Sequence, residues 1–170
     1  MDIKEIKTEF ITWGVPEHSK HKPILLDLIS KIPNNPYEQV SKTDWNLPKA
    51  FERKYIEYFF PNIANPIMDL QQKYMRAQAW EISNGWFQQY EKDSFHAYHN
   101  HPNANFTNVY FLELPDLQFK TSIKIGEKEY DYEAKEGQLI TFPAHLLHCS
   151  KSNGNLRKTI ISFNSNFIYL

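Results

Sequence analysis

Residues 137–148, GQLITFPAHLLH, indicate how this chain folds. Gly137 suits a turn, the apolar run after it is typical of a buried strand, and Pro143 ends that run. His148 follows five residues after Pro143 and is placed on a separate strand. A turn, an apolar strand and a histidine in this order predict a β-sheet with polar side chains at its strand ends.

Similar strand segments continue this pattern from about residue 77 onward. They are short, rich in β-branched and aromatic residues, and separated by Gly, Pro, Asn or Asp; they comprise residues 77–83, 108–114, 118–125, 129–134, 138–142 and 157–163. In the third segment Phe119, Thr121, Ile123 and Ile125 alternate with polar residues, as in a half-buried strand. Residues 125–128 predict a hairpin that joins it to the next.

The first part of the chain has helical spacing instead. Apolar residues predict a helix over residues 21–32, a second runs from a cap at Asn46 to about Phe60 with Pro61 as its stop, and a third runs from Asn65 to near Arg76. Residues 33–48 are predicted to be a loop. Helices followed by many antiparallel strands predict an α+β, mainly β protein, a jelly-roll-like double sheet with flanking N-terminal helices.

Composition excludes several classes of protein. The 170 residues include 41% hydrophobic and 23% charged residues, with a formal net charge of -1. No basic run tracks a phosphate backbone, which argues against nucleic-acid binding. The single cysteine, Cys149, excludes an internal disulfide and a cysteine-rich zinc site. The chain start lacks an apolar signal core and no apolar stretch approaches 18 residues, so we expect a cytoplasmic protein without membrane contact.

Histidines mark the candidate site. Five of the seven lie between residues 96 and 148. His99 and His101 are two residues apart, so on a strand both imidazoles point to the same side, and His148 would complete one face of an octahedron around a metal. Incidental surface or structural histidines remain the alternative. His96 is expected on the opposite side of the strand from His99.

Arg157 and Thr159 open the last strand and form the second candidate group. The planar guanidinium of an arginine can grip a carboxylate with two hydrogen bonds. The alternative is that Arg157 is a surface cation at a strand start, and that Thr159 simply suits a strand. His145 is expected in an exposed loop or lining a pocket, and Cys149 as a buried thiol that points away from the histidines.

Taken together, the order of these motifs resembles the small phage and bacterial 2-oxoglutarate-Fe(II) oxygenases. The resemblance covers about residues 77–165 and is carried by HNHP at residues 99–102, TNVYFL at 107–112, GQLITFPA at 137–144 with His148, and RKTIISFN at 157–164. It implies a cupin-like double-stranded β-helix, with residues 1–76 as a helical part packing on the barrel and residues 77–170 as the catalytic core of one structural domain.

The resemblance also implies the chemistry. His99, His101 and His148 would bind Fe(II), Arg157 and Thr159 would hold the distal carboxylate of the co-substrate 2-oxoglutarate, and Tyr90 would make a second contact to it or serve as a core aromatic. Such an enzyme consumes O2 and couples decarboxylation of 2-oxoglutarate to succinate with hydroxylation of a small-molecule or peptide substrate.

Two departures from the family pattern accompany this resemblance. His101 stands where the wider superfamily has an aspartate, so the metal would keep its full charge until the dianionic co-substrate binds. Phe111 replaces a tyrosine that is frequent in the family.

The alternatives to this function are a cupin metalloenzyme that does not use 2-oxoglutarate and a non-catalytic jelly-roll binding or structural module. The oligomeric state and the substrate are not predicted.

Overall fold

Ten strands form two antiparallel sheets in the computed structural model, which describes residues 10–34, 41–116 and 121–169. The strands are β1 (Ile11–Gly14), β2 (Lys42–Thr43), β3 (Ala79–Tyr90), β4 (His96–His99), β5 (Phe106–Glu113), β6 (Thr121–Ile125), β7 (Lys128–Asp131), β8 (Gln138–Pro143), β9 (His148–Ser150) and β10 (Lys158–Ile168). The six-stranded sheet has the order β1-β8-β5-β10-β3-β2, and the four-stranded sheet has the order β4-β9-β6-β7. This confirms the mainly β double-sheet fold.

The six-stranded sheet separates two apolar cores because its side chains alternate between its faces. On one face Phe87, Tyr110 and Phe163 pack with the helices. On the other face Val109 and Ile160 pack toward the four-stranded sheet. The second face therefore lines the space between the sheets, where the histidines also lie.

In the part of the chain that the structure describes, three α-helices cover the outer face: α1 (His18–Ser30), α2 (Lys54–Phe59) and α3 (Asn65–Met75). The first and third confirm the predicted helices, although α1 begins three residues earlier than expected. A π-helical segment (Phe60–Ala64) joins α2 to α3 without a break. Pro61 therefore does not stop the helix; it stands at the start of the π-helical segment, where the α-helical hydrogen-bond spacing is interrupted.

The predicted start of the second helix at Asn46 was wrong. Residues 44–51 form turns, in which the N–H of Leu47 donates to the carbonyl of Asp44, and the helix begins only at Lys54. The physical reason is the Arg53 side chain, which donates hydrogen bonds to the main-chain carbonyls of Leu47, Pro48 and Phe51. Together with the turn hydrogen bonds, these bonds fix the main chain of this segment in a non-helical conformation.

The predicted hairpin is present. Ile125 pairs with Lys128, and Gly126 at the turn has a φ of 61°, which a glycine adopts without strain. Thr121 and Ile123 are buried as expected, but so is Ser122, whose hydroxyl donates a hydrogen bond to Asp131 on β7. Phe119 lies outside the described residues.

The first 76 residues also supply strands that were not predicted. β1 pairs with β8, and β2, which lies within the predicted loop, pairs with β3. Both strands extend the six-stranded sheet at its edges. No helix among the described residues is long and apolar enough to cross a membrane.

Candidate metal centre

Neighbouring strands bring His99 and His148 together. β4 runs antiparallel to β9, and these two residues are direct partners in the register. His101 follows the end of β4, where its N–H donates to the carbonyl of Ala144 at 2.8 Å. The ring centroid of His148 lies 4.2 Å from that of His99 and 5.1 Å from that of His101. One nitrogen from each of the three rings lies within 4.8 Å of the others, which brings the predicted histidines into one cluster.

Hydrogen bonds set which nitrogen faces the centre of this cluster. Nδ1 of His99 lies 2.9 Å from the carbonyl oxygen of Ala97, and Nδ1 of His148 lies 3.0 Å from that of Leu146. A carbonyl only accepts, so both Nδ1 atoms carry the proton and both Nε2 atoms keep a lone pair. Nε2 of His101 is buried and has no hydrogen-bond partner among the described residues. Three imidazole donors, one of them otherwise unsatisfied, fit a divalent metal ion.

Burial keeps the three rings neutral. It lowers the pKa of His148 to about 3 and that of His101 to about 4, and the neighbouring His99 adds to both effects. Burial also lowers the pKa of His99. The lone pairs are therefore available at neutral pH, as metal binding requires.

A fourth histidine joins the cluster, and its predicted position was wrong. His96 was expected to point away from His99, but the two rings stack with centroids 4.0 Å apart and an interplanar angle of 22°. The register between β4 and β9 shifts between these two residues, as in a β-bulge. An extra residue in one strand reverses the alternation, so both side chains point to the same face.

A cavity of about 340 Å³ opens above these rings. Its walls include Trp45 from the segment after β2, Trp86 and Gln88 from β3, and the rings of His96 and His101. A narrower space continues between the sheets past His148, where Tyr90, Ser150 and Ser162 line it. The histidines thus lie where an open cavity meets the interior of the barrel.

The structure does not bring Arg157 to this interior. Arg157 is exposed, and its guanidinium donates two hydrogen bonds to the carboxylate of Glu113 at 2.8 and 3.0 Å. The hydroxyl of Thr159 is buried but donates to the same carboxylate and accepts from Gln89 at 3.1 Å. Both predicted carboxylate ligands are therefore engaged with Glu113.

Sequence reasoning missed Lys158, which stands between these two residues. Its side chain is fully buried, its ammonium hydrogen-bonds the hydroxyl of Ser150, and it lies 4.5 Å from the ring centroid of Tyr90. Lys158 shares its face of β10 with Ile160 and Ser162, which line the interior, so the two-residue alternation of the strand could have identified it.

Tyr90 lines the interior as a buried aromatic. Its hydroxyl donates to Oε1 of Gln88 at 3.0 Å, and burial raises its pKa. Phe111 is fully buried in the same core, so it offers no phenol to the site. His145 is exposed, and Cys149 is a buried free thiol, both as expected.

Solved structures similar to this architecture include 2-oxoglutarate-Fe(II) oxygenases. An oxidoreductase of that family from Burkholderia pseudomallei superposes with a TM-score of 0.69 at 14% identity, covering 92% of this chain and 83% of that chain. The viral collagen prolyl hydroxylase of Paramecium Bursaria Chlorella virus-1 gives 0.62 at 13% identity, covering 95% and 96%. HygX from Streptomyces hygroscopicus, with nickel and 2-oxoglutarate bound, gives 0.69 at 10% identity, covering 93% and 82%.

No family model and no curated protein matches the sequence. The structural likeness nevertheless extends over nearly the whole chain. This protein therefore has the double-stranded β-helix fold of the 2-oxoglutarate-Fe(II) oxygenases, as the sequence resemblance predicted.

Proposed function

We propose that this protein is a non-haem Fe(II) and 2-oxoglutarate-dependent dioxygenase that hydroxylates its substrate and releases succinate. The cluster of His99, His101 and His148 on this fold carries the proposal, because its buried neutral nitrogens converge on one point. HygX, a structural neighbour, has nickel and 2-oxoglutarate bound. The bound iron would supply the activation of O2, and the protein supplies ligands, positioning and exclusion of water.

Lys158 is the cation best placed to hold the distal carboxylate of 2-oxoglutarate. Its ammonium contacts Tyr90 and Ser150, and both side chains line the narrow space that begins at His148. A carboxylate there would gain a charged hydrogen bond in a site screened from water, where such bonds are strong. Tyr90 and Ser150 then orient the ammonium from two sides.

The assignment of Arg157 and Thr159 to the same carboxylate stays a prediction that competes with Lys158. It would require Arg157 to leave Glu113 and to reach the other face of β10. The division into a helical part at residues 1–76 and a catalytic core at residues 77–170, and a cytoplasmic location, are likewise proposals.

Anaerobic titration with Fe(II) and 2-oxoglutarate, followed by visible absorption, tests the function. A keto acid chelated to iron gives a charge-transfer band that neither component gives alone. We expect the band in the native protein and its loss in His148→Ala. Lys158→Ala should require much more 2-oxoglutarate to saturate the band, whereas Arg157→Ala should titrate like the native protein.

If Arg157→Ala instead requires much more 2-oxoglutarate than Lys158→Ala, Arg157 is the carboxylate ligand. Iron binding without the band would favour a cupin metalloenzyme that does not use 2-oxoglutarate. No iron binding would leave a non-catalytic jelly-roll module. Circular dichroism of each variant shows whether it is folded before the titration is interpreted.

A further inference from the structure

The cavity above the histidines is wide, aromatic and uncharged. Its volume of about 340 Å³ is near the lower end of ligand sites, which span roughly 300–1,000 Å³. No Asp, Glu, Lys or Arg is among the described residues that line it. A charged ligand group would lose its hydration there without gaining an ion pair, so the cavity favours a compact neutral ligand.

Trp45 and Trp86 form the aromatic wall of this cavity. Their ring centroids lie 4.7 Å apart at an interplanar angle of 76°, an edge-to-face pair. Trp45 nevertheless remains 51% exposed, which leaves a large part of the indole open to a ligand. An exposed indole beside a catalytic cavity offers a flat apolar surface to the C–H face of a ring.

The chain holds Trp45 in place through the residue before it. Asp44 is fully buried; its carboxylate accepts hydrogen bonds from the N–H of Phe87 at 3.0 Å, from Nε of Arg53 at 2.8 Å and from the hydroxyl of Tyr55 at 2.7 Å. The main chain beside Trp45, the aromatic platform of the cavity, is therefore fixed to β3, to Arg53 before α2 and to α2 itself. A rigid aromatic group loses little conformational entropy on binding.

His96 supplies a directed hydrogen-bond donor on the wall beside the platform. The hydroxyl of Tyr90 donates to Oε1 of Gln88, so Nε2 of Gln88 faces Nδ1 of His96 at 2.9 Å. An amide nitrogen only donates, so Nδ1 of His96 accepts and the proton of the neutral ring sits on Nε2. This geometry makes His96 a donor at the cavity wall, not a fourth metal ligand.

Asn100 adds an acceptor to the same wall. Its Nδ2 donates to the carbonyl of His145 at 3.3 Å, which leaves Oδ1 for a ligand. A donor, an acceptor and an apolar platform around one small space match a ring that carries C–H bonds on its face and hydroxyl groups around its edge.

We propose that this cavity binds a neutral pyranose sugar, with its ring on Trp45 and a ring-edge oxygen accepting the hydrogen bond of His96. This assigns a substrate class to the proposed oxygenase and rests on that function. Neutral hydroxyl groups satisfy both the donor and the acceptor, and the absent ion-pair partners exclude uronic acids and amino sugars as preferred ligands.

Saturation-transfer NMR tests this proposal on the protein loaded with Zn²⁺ and 2-oxoglutarate, which is diamagnetic and does not turn over. The probes are methyl glycosides of neutral hexoses and N-acetylhexosamines, with glucuronic acid, glucosamine and acetyl-prolinamide as comparisons. We expect saturation of ring C–H protons in at least one neutral glycoside, reduced more than fivefold in Trp45→Ala and retained in the matched control Trp80→Phe.

Variants at His96 separate the donor from the stacking ring. His96→Phe keeps an aromatic ring and should lose the signal, whereas His96→Gln keeps an N–H and should retain part of it. Equal signals in the native protein and Trp45→Ala, or stronger saturation of acetyl-prolinamide than of every glycoside, would overturn the sugar proposal.

The charge-transfer titration on the same protein batch separates the two proposals. A band without any glycoside signal overturns the sugar inference and leaves the oxygenase in place. A glycoside signal that depends on Trp45 without a band overturns the oxygenase and supports a sugar-binding jelly roll.

Discussion

The ammonium group of Lys158 lies 4.5 Å from the ring centroid of Tyr90, inside the barrel, and donates a hydrogen bond to the hydroxyl of Ser150. Burial lowers the pKa of Lys158 from 10.5 to about 7. An anion that binds the charged form would therefore have to compete with loss of the proton in neutral solution. This relationship makes the proposed co-substrate site sensitive to pH.

We predict that the affinity for 2-oxoglutarate falls as the pH rises. Below pH 7 the ammonium is already charged, and above it each binding event must take up a proton, so affinity decreases by up to about tenfold per pH unit. Titration of the charge-transfer band at pH 6.5 and 8.5 measures this. Lys158→Arg keeps its charge at both values and should show a much flatter profile; an equally steep profile in that variant would contradict the assignment.

Replacing Arg157 with alanine should have small effects. The guanidinium is 44% exposed, and such ion pairs contribute about 0–1 kcal/mol to the free energy of unfolding. Urea denaturation should show a loss within this range. A loss of several kcal/mol would mean that the Glu113 carboxylate depends on Arg157 far more than its surroundings indicate.

Acid should destabilise the metal-free protein through His148. Its folded-state pKa of about 3 lies below the ordinary value of 6.5, so the unfolded chain binds an additional proton between these values. The stabilising contribution is complete above pH 6.5 and falls by about 1.4 kcal/mol per pH unit as the pH decreases toward 3.

Urea midpoints of the chelator-treated protein between pH 7.5 and 4.5 measure this slope. His148→Gln should reduce it, and the matched variant His145→Gln, at an exposed position, should not. Identical slopes in all three proteins would show that other groups govern the acid sensitivity.

Removing the buried carboxylate in Asp44→Ala should destabilise the fold strongly. The change removes the only carboxylate that the described residues place at 2.8 Å from Nε of Arg53 and leaves the N–H of Phe87 without that acceptor, and breaking a buried pair in this way costs about 3–5 kcal/mol. Tyr55→Phe removes only one hydrogen bond to the same carboxylate and should cost about 1 kcal/mol. Thermal or urea denaturation measures the loss of stability in each variant. Equal losses in the two variants would contradict a central role for the carboxylate.

The sequence predicted the parts of the fold that follow from local periodicity. The short β-branched and aromatic runs of β5, β8 and β10 and the apolar spacing of α1 and α3 each identify an element without reference to the rest of the chain. β4 and β9 were predicted only through their histidines and without bounds, because they are short and carry no apolar periodicity.

The candidate site was predicted as a set of residue types, but not as a geometry. His99, His101 and His148 meet as expected, whereas the position of His96 depends on a register shift that only the pairing with β9 creates. Arg157 was predicted as the carboxylate ligand and Lys158 was not, because the choice between them depends on which face of β10 lines the interior. The position of His96 depends on the partner strand β9, whereas the alternation along β10 itself could have identified Lys158.

The alternation along β10 has a consequence for how such chains diverge. Lys158, Ile160 and Ser162 face the interior, while Ile161 and Phe163 face the helices. The side chains that line the interior and those that pack on the helices thus occupy opposite faces of β10. A replacement on the outer face can be accommodated by repacking the helices without moving the residues of the inner face. A barrel built in this way can change most of its covering while the inner face of β10 stays in place, and its fold overlaps over nearly the whole chain with structures that share only 10–14% of their residues.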